Sequence, residues 1–412
     1  MMVVREMSDR SSTILPVEDL IKLLVFGEAH KVPCDTCTVS ELEHALPPWY
    51  DKAKYKRGQS YIMRNFLAQA LAIFCGVITM TAVPSALTIL MKTHRSSTVH
   101  AAYRRYLSTI MHFLSWYIRD LEPGSDAWKS LSTVRERHIK WSNVSKLRND
   151  GHISQRDLVL TLTAFGGVIL VRPHLLGMGH DSREDLEALA HFWRTIGHML
   201  GIEDRYNIFR PSFDETLLVI EAIITGIYKP LLQNPPEYFY HMSNTYIQSL
   251  WFIDPILTVG TMNYFNYRLL GVEGFAYNPK GALEIKQKKE IKIRESQLRS
   301  INFKKGLGYS EYPGKDEDSL VTGDKFYMTL GLYNRFVLFV MVFWFNKVAS
   351  TKIGKVLGLL KAGISLLFAK FFPILLIMRF GLKGAYVNKY EEDIKMEVRI
   401  KTNKEILAEM RN

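Results

Sequence analysis

Apolar positions in this chain recur at three- and four-residue spacing, and no segment sustains the alternation of a half-buried strand. The spacing predicts helices. In "SREDLEALAHFWRTIGHMLGI" one stripe is formed by Leu186, Leu189, Phe192, Trp193, Ile196 and Leu200, with Asp181 or Ser182 as N-cap. "STVHAAYRRYLSTIMHFLSWYIRDL" begins at a Ser97 or Thr98 cap, and "SDAWKSLSTVRERHIKWSNV" at Ser125 or Asp126. "SQRDLVLTLTAFGGVILV" starts at Ser154, followed three residues later by Asp157, the pattern of a capping box. The core reads as all-α.

Between these helices and the N-terminus lies an uncharged run, Phe66–Met91. Gly76, Thr79, Thr81 and Pro84 divide it, which predicts two buried helical segments hinged near Pro84. Its length also suits a membrane span, since about 20 apolar residues suffice for one. Residues 1–60 are broken by Pro16, Pro33, Pro47 and Pro48 and read as an arm of short helices and loops. The main domain is expected over 61–278, a charged linker or helix over 279–328 that includes Lys280–Gly306, and apolar helices over 329–412. Those last helices are the runs Leu330–Phe345 and Val356–Phe380, the second interrupted by Lys361, Lys370 and Arg379. Lysines nine apart with apolar residues between them suggest cations that snorkel from a helix lying at a membrane interface. Ordinary core helices with cationic edges are the other reading.

Charge and cysteine narrow the class. The chain of 412 residues has 53 Lys and Arg against 41 Asp and Glu, a net charge of +12. That balance suits anionic membrane surfaces or nucleic acid. No RRM, KH or zinc-finger signature supports nucleic acid, and the basic residues are scattered through apolar helices, so no nucleic-acid partner is expected. Three cysteines do not make a disulfide framework and fit a reducing compartment. Cys34 and Cys37 have the spacing of half a zinc site, with nothing to complete it. Arg5, Glu6, Asp9 and Arg10 interrupt any apolar region at the N-terminus, so secretion by an N-terminal signal is not expected.

No P-loop, dinucleotide fingerprint, HExxH, GxSxG or kinase signature is present. His191 and His198, seven apart, are too distant to share one metal ion and read as packing or surface groups. One constellation emerges from two helices. Arg105 and Thr109 are four apart, Arg135 and His138 three apart, so each pair shares a face. Neighbouring antiparallel helices could aim Arg, Thr, Arg and His at one cavity. A lone imidazole facing an apolar cavity is the proximal ligand haem iron uses, with arginines suited to its propionates.

The order of pieces resembles the latex-clearing protein and rubber-oxygenase catalytic-domain family, which includes the fungal ER-bound oxygenase of mycophenolic acid biosynthesis. The matching pieces are the R-x-x-x-T helix at Arg105–Thr109, "VRERH" at Val134–His138, "ISQRDLVLTLTAFG" at Ile153–Gly166, "LLGM" before an acidic helix start, and "HFWRTIGHMLGI" at His191–Ile202. The likeness as a whole covers roughly Trp49 to Asn278. The resemblance implies a globin-like helical core with additional helices and one haem b. His138 would then ligate the iron, Arg105 and Thr109 would lie beside the haem as catalytic groups, and Arg135 would serve the propionates or pocket. Arg135 and His138 would face inward, with Glu136, Arg137 and Lys140 facing out. The partners implied are dioxygen and an apolar small-molecule or lipid substrate, an isoprenoid or other unsaturated chain oxygenated or cleaved at a C=C bond. An intracellular location follows, with the endoplasmic reticulum membrane as candidate surface. Two departures stand out. A lysine before the motif threonine is replaced by Ser108, and the glutamate proposed as catalytic base in the bacterial enzyme has no clear counterpart. The rival reading is a non-catalytic haem or lipid carrier at a membrane surface.

Overall fold

The structure, a computed structural model, describes residues 14–34, 46–148, 151–179, 181–275, 323–371, 373–385 and 401–411. The charged stretch Lys280–Gly306 and Cys37 lie outside the described residues. Within them the chain is all-α, and the only β pairing is an isolated bridge between Pro33 and Ser154.

The principal helices are α1 (Val17–Phe26), α2 (Lys52–Arg64), α3 (Phe66–Met80), α4 (Pro84–Lys92), α5 (Val99–Ile118), α6 (Asp126–Leu147), α7 (Gln155–Leu162), α8 (Arg183–Met199), α9 (Phe213–Ile223), α10 (Phe239–Leu250), α11 (Val259–Leu269), α12 (Leu332–Phe343), α13 (Lys352–Phe371) and α14 (Ile374–Ala385). Their starts follow the cap chemistry. Thr98, Ser125 and Ser182 each accept a hydrogen bond from a backbone N–H in the first turn of α5, α6 and α8. Ser154 and Asp157 form the reciprocal capping box of α7. The uncharged run forms two helical segments that meet at a bend next to Pro84, as expected. Pro84 occupies the first turn of α4, where its missing N–H costs nothing, and the chain bends just before it.

The first part of the uncharged run, Phe66–Met80, is core, while in the second, α4, only Leu87 is buried. Helix α3 is buried along nearly its whole length and packs against the chain after α7, against α11 and against α13. The backbones approach closely because small residues permit it. A Cβ on Gly76 would stand 2.5 Å from the Ala164 carbonyl oxygen, and one on Gly58 in α2 would stand 2.5 Å from that of Ala188 in α8. Ala164 lies in a π-helical turn, Thr163–Gly167, that continues α7 into Val168–Val171. In the same turn Gly166 lies against the Trp193 indole, 2.4 Å from where its Cβ would be. Such turns insert one residue into a helix and recur at functional sites.

The C-terminal helices differ in kind. Lys361 and Lys370 are nine residues apart, which at 3.6 residues per turn puts them on opposite faces of α13. Lys361 turns inward to pair with Asp254, while Lys370 is exposed. The expectation of two snorkelling lysines therefore holds for one of them only in orientation.

Filling the α3 contact should be costly. Gly76→Ala is expected to destabilise the fold by about 1–3 kcal/mol, as overpacked cores do. Urea unfolding checks this, and an unchanged midpoint would mean that the backbones can separate freely there.

Candidate functional site

A cavity of about 330 Å³ opens between α4, α5, α6, α7 and α8. Its size is that of a small-molecule site. The α5 wall is one helical stripe, Arg105, Ser108, Thr109, His112 and Trp116, at spacings of three and four. The α6 wall is Val134, Arg137, His138 and Trp141, the i, i+3, i+4, i+7 face. The π turn contributes Phe165, and α8 contributes Trp193 and Ile196.

His138 lies within this wall, as the sequence suggested. Its side chain is half-buried, and burial, with the nearby Arg105 guanidinium second, pushes its pKa down to about 4. It is uncharged at neutral pH. Its Nδ1 is buried without a hydrogen-bond partner, so the carbonyl or side chain expected to orient that nitrogen is not there. The other cavity histidine, His112, is committed. Its Nδ1 is 2.7 Å from Ser130 Oγ, which also accepts the Trp116 indole N–H at 3.0 Å. Its Nε2 lies 3.4 Å from Arg137. A guanidinium only donates, so Nε2 is the unprotonated nitrogen and Nδ1–H donates to Ser130.

The structure brings Arg105, Thr109 and His138 together and leaves Arg135 out. Arg135 is buried but does not line the cavity; Arg137 does. The face containing His138 is centred between Val134 and Trp141, and that puts Arg137 inside and Arg135 to one side. Arg137, expected to face out, therefore lines the cavity, and Arg135 turns inward to one side of it. Thr109 Oγ1 donates to the Arg105 backbone carbonyl at 3.0 Å and does not touch its guanidinium. Arg105 instead donates to Ser96 Oγ at 3.1 Å. Ser108 lines the cavity where the resemblance would place a lysine.

Sequence reasoning missed Arg95, Arg104, Arg137 and His112, all in the lining. For Arg137 the signal was present in the apolar residues at 134 and 141 that mark the face. Arg95 precedes α5 and reaches the cavity across Trp141, 5.3 Å from its ring. No helical spacing advertises it. Burial, then Arg105 and Arg137, pushes the Arg95 pKa down to about 10. Asp157 is the one carboxylate in the lining, and it is held by Ser85 and Ser154. Four arginines around one half-buried cavity leave a positive field that suits an anionic ligand.

His191 and His198 serve packing. Both rings meet Trp49 edge-on, at 5.8 and 5.7 Å. Cys34 is buried, and among the described residues no group of His, Cys, Asp and Glu could hold a metal ion.

Residues 61–225 match the family described as ER-bound oxygenase mpaB/B'/rubber oxygenase, catalytic domain. The matched segment contains every residue lining the cavity. A solved structure of latex clearing protein in the closed state is similar at 17% identity and a TM-score of 0.46, over 71% of this chain and 87% of that one. No curated protein matches the chain.

The histidines predict an acid response. His138, His174 and His191 are each pushed from 6.5 to about 4 by burial. The unfolded chain binds protons that the folded one refuses, so stability falls as pH drops from about 6.5 toward about 4. His30 and His241 are lowered in the same direction, and His138→Leu removes one of these contributions. The gap between apoprotein unfolding midpoints at about pH 7 and about pH 4.5 should shrink, and an unchanged gap would show that His138 charges freely in the fold.

Proposed function

We propose that this chain, which carries the mpaB/rubber-oxygenase catalytic domain over residues 61–225, is a haem b-dependent oxygenase of an apolar unsaturated substrate at an internal membrane. The substrate class is an isoprenoid or other lipid, oxygenated or cleaved at a C=C bond. The observation that carries this reading is the contrast between the two cavity histidines. His112 has both ring nitrogens engaged, while His138 is neutral, lines the cavity, and has a buried nitrogen with no partner. An orphaned imidazole is costly unless something is to occupy it.

The residues fit the group. His138 would hold the iron through one ring nitrogen, and its depressed pKa keeps it in the ligating form. Arg95, Arg104, Arg105 and Arg137 would offer charge to two propionates, and Trp141, Phe165 and Ile196 offer apolar contact to a macrocycle. When bound, haem supplies the dioxygen chemistry. Arg105 holds a fixed positive charge where negative charge develops on oxygen. Thr109, with its hydroxyl tied to the Arg105 carbonyl, positions the substrate chain beside that charge. Arg135, outside the lining, acts at most by supporting α6, and Arg137 takes the pocket role.

The expected preparation is red, with a Soret band and near-stoichiometric b-type haem by pyridine haemochrome. His138→Ala should fold and lose the haem; normal haem content in that variant would remove His138 as ligand. Arg105→Ala should keep most of the haem and lose turnover by about a hundredfold, the scale of removing one charge-stabilising donor. Oxygen consumption with an unsaturated isoprenoid separates this reading from a haem or lipid carrier, which would bind without turnover.

A further inference from the structure

Helix α13 is built inside out. Its inward face carries Lys355, Gly358, Lys361, Ala362, Ser365 and Ala369, small or charged residues held by specific contacts. Lys355 pairs with Asp181 at 3.1 Å, Lys361 pairs with Asp254, and the Ala369 carbonyl accepts the Tyr103 hydroxyl at 3.2 Å. Its outward face carries the large apolar residues. Val356, Leu360, Ile364, Leu367, Phe368 and Phe371 are each half or more exposed. A helix of a water-soluble surface has the opposite polarity. Helix α12 continues the patch with Phe336, Phe339 and Phe343.

Charge says what covers it. Between residues 330 and 386 there are eight Lys and Arg and no Asp or Glu. Lys355 and Lys361 are engaged with the body, and Lys347, Lys352, Lys370 and Arg379 remain exposed around the apolar face. An apolar face rimmed by cations and free of carboxylates matches a bilayer with anionic headgroups.

Behind this face lies a second cavity, about 430 Å³ and almost wholly apolar. Val340, Trp344, Lys361, Ala362 and Leu366 of the C-terminal region form its outer wall. Val340 lines the cavity and is also 38% exposed, so the wall there is one side chain thick. Its inner wall, Val77, Tyr106, Thr109 and Phe113, is also wall of the His138 cavity.

The geometry points to lateral admission of substrate from the membrane: the face of α12 and α13 seats in one leaflet of an anionic bilayer, and a lipid hydrocarbon chain passes between these helices through the second cavity to Thr109 and the His138 cavity. This rests on the oxygenase reading for the chemistry, but the route is independent of it. Chain-first entry keeps the hydrocarbon out of water throughout. The Lys361–Asp254 pair lies at the outer wall, where a polar lipid headgroup would stop.

The test uses the full chain and vesicles of phosphatidylcholine with phosphatidylserine, containing cis-parinaric acid as fluorescent probe. The parent should float with the vesicles and take up the probe. A Leu360→Asp, Leu367→Asp variant, altered only at exposed positions, should lose flotation by at least about tenfold, given the cost of a carboxylate in lipid. Phe336→Asp on α12 should weaken it in the same direction. Ala362→Trp should float as the parent does and take up at least about tenfold less probe, because the indole fills the second cavity. Undiminished flotation of the double aspartate variant overturns the docking face. Undiminished uptake by Ala362→Trp overturns the route. A chain that never floats and instead forms a dimer, made monomeric by the aspartates, assigns the face to self-association and also overturns the proposal. Soret absorbance of each variant keeps the two readings apart. Uptake without haem sinks the oxygenase and leaves the portal, while haem with turnover of a short soluble alkene but no vesicle binding does the reverse.

Discussion

The protein hangs on the contact between α3 and the π turn that follows α7. Gly76 and Gly166 let two backbones and one indole meet at distances that no larger residue would allow. That contact holds Ala164 and Phe165 in place, and Gln69 ties the Phe165 carbonyl to α3 at 3.1 Å. Phe165 is then fixed as the floor of one cavity and Val77 as the partition between two. Helices this close cannot breathe independently, since interiors are packed as densely as organic crystals. The cavities persist because the frame around them is rigid.

Rigidity matters because the site is electrostatically unfavourable by itself. Arg105 and Arg137 lower the affinity of Arg95 for its proton, and Arg105 lowers that of His138. Asp157, the one carboxylate in the lining, is already satisfied by two serines. A flexible pocket would let these arginines swing to water. Here stacking and hydrogen bonds restrain them, Arg95 across Trp141 and Arg105 on Ser96. A site that remains cationic in the absence of ligand is preorganised for an anionic one, and the ligand need not reorganise it on binding.

How much of this was legible depends on which physical rule governed each residue. Caps are local, so Thr98, Ser125, Ser154 and Ser182 could be read directly, and α5 to α8 with them. His138 was legible through resemblance and its place on a helix. Arg137 was misjudged because Arg135 and His138 satisfy i, i+3 as a pair, and pairs do not locate a face. Four positions, 134, 137, 138 and 141, do. Arg95 and the His112–Ser130–Trp116 network were not legible, since they depend on how separate segments meet. The lysines of α13 misled for a similar reason. A nine-residue spacing looks regular in sequence and is half a turn out of phase on a helix.

That phase difference joins the composition to the architecture. The net positive charge suited two kinds of partner, anionic membranes and nucleic acid, and by itself could not choose between them. Resolved by position, it divides into cations that line the His138 cavity, cations that pin α13 to the body, and cations left outside on an apolar rim. The second set is neutralised within the chain, by Asp181 and Asp254. Pinning a helix by its polar face necessarily turns its apolar face outward. The inverted polarity of α13 thus follows from two ion pairs, of which Lys361–Asp254 also lines the second cavity. The exposed apolar surface and the outer wall of the second cavity are two sides of one helix.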